Sequence, residues 1–115
     1  MTILTNAREQ LEYWTNIRRH LHQHPEIGFE EVETTALIKR ELEKIGVEIC
    51  PLAIDTGVMG IIRGTKPGQV KTIALRADIA ALPIQEQTGL PYASVRQGVC
   101  GHDGHTTVLL GAAKQ

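Results

Sequence analysis

The segment at residues 100–105, Cys-Gly-His-Asp-Gly-His, constrains the fold of this sequence more than any other stretch. It places a thiol, two imidazoles and a carboxylate within six residues, together with two glycines that relax the steric limits on the backbone. An apolar run with helical character, residues 106–113, follows directly. Four donor groups between a turn and a buried helix are hard to explain by packing alone, so the segment predicts a chemical site at the start of a helix.

The donors of this segment suit a divalent metal ion. Cysteine thiolate and neutral histidine are ligands for zinc and related ions, and Cys100 and His102 are close enough to converge on one ion. A nucleophilic Cys–His pair and residues with a purely structural role are the alternatives. His105 has three options, which are sharing the face of His102, capping the helix and contacting substrate. A catalytic zinc needs about three protein ligands, so we expect the missing ligands beyond residue 115.

Composition limits the classes of function. The 115 residues, with 42% hydrophobic and 22% charged, are ordinary for one soluble globular domain. A net charge of -1 and an aromatic content of 3% argue against nucleic acid and against an anionic membrane as partners. No apolar run approaches the ~18 residues of a membrane span. The two cysteines, Cys50 and Cys100, form no disulfide framework, and without a signal pattern at the start a reduced, cytoplasmic setting is predicted.

Apolar periodicity predicts helices in the first half of the chain. Residues 4–23 form an amphipathic pattern that ends before His24-Pro25. Residues 30–45 form a second one, with Gly46 as its C-terminal cap. Three acidic residues at its start suit the positive end of the helix dipole; they are Glu30, Glu31 and Glu33.

Three strands are predicted after these helices, at residues 47–54, 58–63 and 70–76. Residues 64–69 have the composition of a hairpin loop. The strand at residues 70–76 is the strongest of the three, and its continuous apolar run indicates burial on both faces. The order of elements predicts an α/β fold with helices packed on a sheet.

Two further groups of polar residues have both a structural and a functional interpretation. Three histidines at the end of the first helix, His20, His22 and His24, fit a solvated last turn favoured by the helix dipole. A metal site there is the alternative, since His20 and His24 share a helix face. Arg76 and Asp78 leave the last strand at the kind of edge where α/β proteins bind ligands; the alternative is a surface ion pair that contributes little.

Four stretches of this sequence follow the pattern of a known family. They are residues 18–26 with 28–31, residues 74–78 with 81–84, residues 88–94 and residues 100–106. In this order they resemble the N-terminal part of the metal-dependent amidohydrolases related to aminoacylase, hippurate hydrolase and the plant auxin-conjugate hydrolases. The resemblance implies the N-terminal portion of a zinc-peptidase-like α/β catalytic domain, with helices on a mixed sheet. It also implies a site for two divalent metal ions, zinc or manganese, with Cys100 and His102 as ligands and Asp78 orienting the site.

The sequence departs from the family pattern at two places. Members usually carry Met-His-Ala between the residues that match Val99 and Cys100, and this chain lacks those three residues. We expect the deletion to displace Cys100 unless the loop takes another path. Ala80 stands where members usually have an acidic residue. The resemblance also implies that residues 1–115 are a partial catalytic domain, with the general-base glutamate, the remaining ligands and the dimerisation domain beyond residue 115.

The function implied by the resemblance is metal-dependent hydrolysis of the amide bond in N-acyl amino acids or small peptides. Family members often form homodimers through the domain that is not in this sequence. The 115-residue chain by itself is expected to be inactive. The alternatives are a non-catalytic decayed fragment or small interaction module, and a thiol-reactive protein that uses Cys100.

Overall fold

A computed structural model describes residues 2–95 and 100–115, with the backbone alone described at Cys100. The helices and strands of these residues are α1 (Ile3–Glu9), α2 (Leu11–Gln23), α3 (Val32–Lys44), β1 (Glu48–Cys50), β2 (Met59–Ile61), β3 (Ala81–Leu82), β4 (Cys100–Gly101) and α4 (Asp103–Lys114). In this part of the chain, no helix has both the length and the apolar character that a membrane crossing requires.

The predicted helix at residues 4–23 forms as two helices, α1 and α2, which meet at Gln10. Backbone hydrogen bonds continue across the junction, from the Gln10 N–H to the Asn6 carbonyl (3.2 Å) and from the Trp14 N–H to the Gln10 carbonyl (3.1 Å). The junction is therefore a kink in one helical path. The Gln10 side chain accepts a hydrogen bond from the Trp14 indole N–H at 3.2 Å. The second helix ends before His24-Pro25, as predicted.

The first turn of α3 is capped from outside the helix. Its own N-cap residue makes no side-chain hydrogen bond to the helix. The buried carboxylate of Glu26 instead accepts hydrogen bonds from the backbone N–H groups of Glu33 (3.1 Å) and Thr34 (2.6 Å). Those N–H groups have no partner inside the helix, so a carboxylate there satisfies them and complements the dipole. The predicted end is confirmed, since Gly46 follows the helix at φ +81°, a conformation that glycine adopts without strain.

The next two predicted strands pair as an antiparallel hairpin of β1 and β2. Glu48 lies opposite Ile61 and Cys50 opposite Met59, so the turn between these two strands lies within residues 51–58. A second hairpin around the loop at residues 64–69 does not form, because residues 70–76 pair with no described strand. Gly60 permits a close approach within this hairpin, because a Cβ there would stand 2.7 Å from a methyl carbon of Val47. The hairpin packs beside α3.

The prediction of a buried strand at residues 70–76 is wrong. These residues form no regular structure and lie on the surface, with Val70 91% and Ile73 86% exposed. Strand propensity describes only how a residue fits a half-buried pleated surface. A strand also needs a neighbour to take its N–H and C=O groups, and no other described strand pairs with this segment.

A second small sheet joins three segments that are distant in sequence. β3 and β4 are antiparallel partners, with Ala81 opposite Gly101. Ile27 makes a parallel bridge to Ala81 from the other side, and the Glu26 carbonyl accepts the Ala81 N–H at 2.6 Å. α2 and α4 pack against each other beside this sheet. The buried apolar residues of the described chain are Leu21 of α2, Leu37 and Ile38 of α3, Ala81 of β3 and Leu110 of α4. The predicted α/β class is confirmed.

Candidate metal centre

The junction of β4 and α4 carries the sequence segment that predicted a site. His102 is the N-cap residue of α4 and makes no side-chain hydrogen bond to the helix. Gly101 lies directly before it against Pro25, where an added Cβ would stand 3.1 Å from the Pro25 Cβ. A larger residue would crowd that contact, so the glycine lets the strand pass close to the end of α2.

The ring of His102 is held in one orientation. Its Nδ1 lies 2.6 Å from the backbone carbonyl oxygen of Ala80. A carbonyl oxygen only accepts hydrogen bonds, so Nδ1 carries a proton, and in the neutral ring Nε2 then has the free lone pair. Histidines that bind metals are oriented in this way, with one ring N–H donated to a carbonyl and the other nitrogen available as ligand. The residue therefore fits the role of a metal ligand.

The second predicted ligand is Cys100. Its backbone belongs to β4, two residues before His102, and its side chain lies outside the described part of the structure. Residues 96–99, where the three-residue deletion was expected to alter the approach to Cys100, also lie outside it.

Asp78 lies beside the first turn of α4. The Thr106 hydroxyl donates a hydrogen bond to the Asp78 backbone carbonyl at 3.1 Å. The carboxylate of Asp78 pairs with Arg76, with Nη2 and Oδ1 2.6 Å apart, and the Arg76 side chain is 84% exposed. The ion pair proposed as the structural alternative is thus present, while the backbone contact brings Asp78 to the helix that begins after His102.

His105 shares a helix face with His102. Their rings stack with centroids 5.9 Å apart and planes 18° apart. His105 is exposed, so of the three options considered from the sequence, the shared face is the one that the geometry supports.

A partly buried charge network that the sequence did not predict lies next to this junction. Its centre is His22, on the last turn of α2, whose Nδ1 lies 3.2 Å from Oδ1 of Asp103 and whose Nε2 contacts the carboxylate of Glu86. Asp103 also accepts a hydrogen bond from Nε of Arg18 at 2.6 Å. Glu86 accepts hydrogen bonds from the Ser94 backbone N–H and the Thr88 hydroxyl. The network therefore ties α2, the loop at residues 86–94 and the first residue of α4 together.

The electrostatics of the network favour a charged His22. Desolvation by burial alone would lower the pKa of His22, but its hydrogen bonds to Glu86 and Asp103 outweigh that effect and raise the pKa. The backbone N–H of Ser94, followed by the His22 ring, lowers the pKa of Glu86 to about 2. The ionised form of Glu86 is thus stabilised beside the His22 ring.

The histidine cluster at the end of α2 divides into two groups. His22 points into the network, while His20 and His24 are exposed and stack with ring centroids 4.7 Å apart. Burial, followed by the charges of His24 and Arg40, lowers the pKa of His20. The prediction of a solvated last turn is therefore confirmed for His20 and His24 and wrong for His22. The sequence signal for the difference was the 3.6-residue period of the helix, which places His22 on roughly the opposite face from both His20 and His24.

No group of three His, Cys, Asp or Glu side chains that could hold a metal ion occurs among the described residues. This covers the alternative of a metal site at His20 and His24, which lack a third ligand in that part of the chain. A cavity of about 430 Å³ lies elsewhere, between α2, α3 and the end of α4, with Tyr13, Trp14 and Glu41 in its wall. None of the predicted site residues lines that cavity.

No family model matches the chain, but several curated proteins are similar to it in sequence. N-acetyl-L-cysteine deacetylase of Bacillus subtilis is 59% identical over 100 residues, which are 84% of this chain and 24% of that protein. An IAA-amino acid hydrolase of Arabidopsis thaliana is 48% identical over 115 residues, covering 96% of this chain and 26% of that protein. The chain therefore spans about a quarter of the length of the curated relatives it matches.

Two solved structures share the fold. The YXEP protein of Bacillus subtilis, described as a dinuclear metal binding peptidase from the M20 family, superposes with a TM-score of 0.83 at 48% identity, over 90% of this chain and 29% of its own. A putative aminohydrolase from methicillin-resistant Staphylococcus aureus superposes with a TM-score of 0.84 at 41% identity, over 96% of this chain and 30% of its own. At these identities and lengths the similarity reflects common descent, so this chain belongs to the M20 family of amidohydrolases and is homologous to the N-terminal part of its members.

Proposed function

We propose that this chain supplies part of the metal centre of an amidohydrolase that cleaves the amide bond of N-acyl amino acids or small peptides. The observation that carries the proposal is the hydrogen bond between His102 Nδ1 and the Ala80 carbonyl, which leaves Nε2 available to a metal ion. The substrate class is supported by relatives that act on N-acetylcysteine and on amino-acid conjugates.

In this proposal Cys100 and His102 are metal ligands and Asp78 orients the site. Thiolate and imidazole suit zinc, and manganese is the alternative, with two ions by analogy with the dinuclear relative. When bound, such ions polarise an amide carbonyl and make water a better nucleophile at neutral pH. The residues of this chain hold the donors in place: Ala80 fixes the His102 tautomer, and Thr106 holds the backbone at Asp78. A reducing, cytoplasmic setting belongs to the proposal, because oxidation of Cys100 would remove a ligand.

Binding of Co²⁺ tests the ligand assignment without any requirement for catalysis. Titration of the reduced chain should produce the near-ultraviolet absorption that arises when a thiolate binds Co²⁺. We expect Cys100→Ser to abolish this absorption and His102→Asn to weaken binding. Cys50→Ser is the matched control, since Cys50 lies in the β1–β2 hairpin, and it should leave the spectrum unchanged. A spectrum that survives Cys100→Ser would overturn the assignment.

We also propose that the 115-residue chain is inactive by itself. Its described residues bring no three potential ligands together, and a catalytic zinc site needs about three. The test is hydrolysis of N-acetylcysteine and other N-acetyl amino acids with added Zn²⁺ or Mn²⁺. Clear turnover that is lost in His102→Asn would contradict the proposal.

One observation favours a second candidate, a small interaction module. The apolar segment at residues 70–75 is exposed, with Val70, Ile73 and Leu75 between 71% and 91% accessible, and exposed apolar surface of this kind marks interaction or aggregation sites. Size-exclusion chromatography distinguishes the cases. A monomer at all concentrations argues against the interaction module, whereas self-association that Ile73→Lys suppresses supports it.

A further inference from the structure

His22 occupies an unusual position among the histidines of this chain. Its side chain is 12% exposed, and the carboxylates on its two ring nitrogens are similarly enclosed, with Asp103 8% and Glu86 5% exposed. Carboxylates that are ionised only accept hydrogen bonds, so a ring bonded to one on each side must donate from both nitrogens. The ring thus forms a bridge between two segments that are otherwise separate in sequence.

The Asp103 end of this bridge lies directly beside the candidate ligand. Asp103 is the first residue of α4, and the N-cap residue His102 precedes it. An aspartate in a first turn commonly accepts hydrogen bonds from its own helix, but the described contacts of this carboxylate run to His22 and Arg18. The start of α4 is therefore fixed to α2 through two charged contacts.

The Glu86 end fixes the loop that leads back toward the junction. Glu86 accepts hydrogen bonds from the Ser94 N–H and the Thr88 hydroxyl in addition to His22. Arg19 of α2 lies over the Tyr92 ring at 4.5 Å, and the rings of His22 and Tyr92 meet edge to face at 5.9 Å. The same helical turn thus holds both the loop before β4 and the helix after it.

From this geometry we propose that His22 is a positioning residue for the metal-ligand segment. The His102 ring is held by the Ala80 carbonyl, and Asp103, the residue that follows His102, is held by His22. Among the described residues, removing His22 leaves the Asp103 carboxylate held by Arg18 alone, so the start of α4 is held less firmly and the His102 ring can leave the Ala80 carbonyl. The expected effect of His22 on metal affinity rests on the proposed function, whereas its expected effect on the orientation of the His102 ring does not.

The first test needs no metal. Nitrogen-15 NMR of the reduced chain reports the tautomer of each histidine ring, and His102 should show a single Nδ1–H form. His22→Gln, which keeps a polar side chain and removes the second charged contact, should convert His102 to a mixture of tautomers. Glu86→Gln should also produce a mixture of His102 tautomers, but to a smaller extent. If His22→Gln fails to fold, Glu86→Gln is the variant that tests the positioning role. His24→Gln, at the exposed end of the same helix, is the matched control and should leave His102 unchanged.

The second test measures Co²⁺ affinity in the same variants. Residues that orient a metal ligand typically contribute about 10–100-fold to metal affinity, and we expect a loss in that range for His22→Gln against no change for His24→Gln. An unchanged His102 tautomer in folded His22→Gln or Glu86→Gln would overturn the positioning role, as would wild-type Co²⁺ affinity in His22→Gln. If the wild-type chain binds no Co²⁺ while the His102 tautomer still depends on His22, the proposed function fails and the positioning role stands.

Discussion

Replacement of Glu26 should destabilise the fold more than replacement of any exposed carboxylate at the same helix end. Glu26 is 4% exposed and its carboxylate is the acceptor for two N–H groups in the first turn of α3. A buried donor left without a partner costs about 1–3 kcal/mol. The Thr34 N–H is buried, so the loss of its acceptor carries the full cost, whereas the N–H of exposed Glu33 can form a hydrogen bond with water. Glu26→Ala also loses the interaction of a negative charge with the helix N-terminus, about 0.3–2 kcal/mol. We therefore expect it to lower the free energy of unfolding by about 2–4 kcal/mol in all.

The neutral variant separates the hydrogen bonds from the charge. Glu26→Gln keeps one oxygen acceptor and loses the interaction of a negative charge with the helix N-terminus, which contributes about 0.3–2 kcal/mol. We expect a loss of about 1–2 kcal/mol in all, between wild type and Glu26→Ala. Glu33→Gln is the matched control, because this carboxylate lies in the same exposed first turn and should contribute less than about 1 kcal/mol.

Urea unfolding followed by far-ultraviolet circular dichroism measures these differences. Domains of this size unfold with a total free energy of about 5–15 kcal/mol, so the loss in Glu26→Ala should move the urea midpoint by about 1 M or more at an unchanged slope. Hydrogen exchange at the Ala81 amide should also accelerate, since its acceptor is the Glu26 carbonyl. If Glu26→Ala and Glu33→Gln prove equally stable, the capping role assigned to Glu26 is refuted.

Three further predictions concern packing and pH. Leu110→Ala should lower the free energy of unfolding by about 2–5 kcal/mol because Leu110 is buried, whereas Val108→Ala on the exposed side of α4 should change it by less than about 0.5 kcal/mol in the same urea assay. Gly60→Ala should cost about 1–3 kcal/mol, since the new methyl group would stand 2.7 Å from a valine methyl carbon, and Gly64→Ala, with open space around it, should be close to neutral by thermal unfolding. The raised pKa of His22 means that its stabilising contribution is complete below about pH 6.5 and is lost as the pH rises through the folded pKa, so the stability difference between wild type and His22→Gln should be larger at pH 6 than at pH 9.

The sequence predicted the helices well because their signals are local. Apolar spacing, a proline after His24 and a glycine at position 46 each act within one or two turns, and the observed bounds of α2 and α3 follow them. The strand at residues 70–76 failed for the opposite reason. Its apolar composition was read correctly, but a strand exists only if another strand pairs with it, and that is a property of distant residues.

The candidate site was likewise predictable where its signals are local and not where it depends on distant residues. The spacing of Cys100 and His102, with the family resemblance, singled out the junction of β4 and α4, and the orientation of His102 is consistent with a ligand. The sequence did not show that Glu26, rather than the acidic residues at 30, 31 and 33, caps α3. The sequence pattern also predicts a solvated His22, because the contact between His22 and Asp103 joins positions 81 residues apart.

The contacts at the β4–α4 junction explain why a short motif can define the candidate site and still depend on much of the chain. Three separate segments hold it: the residues before β3 through Ala80 and the backbone at Asp78, the end of α2 through His22, and the loop at residues 86–94 through Glu86. A metal ligand loses affinity when its ring can rotate away, so loss of any of these contacts should weaken the metal binding of His102. Metal affinity at this junction should therefore respond to substitutions in any of the three segments, including some that touch no ligand.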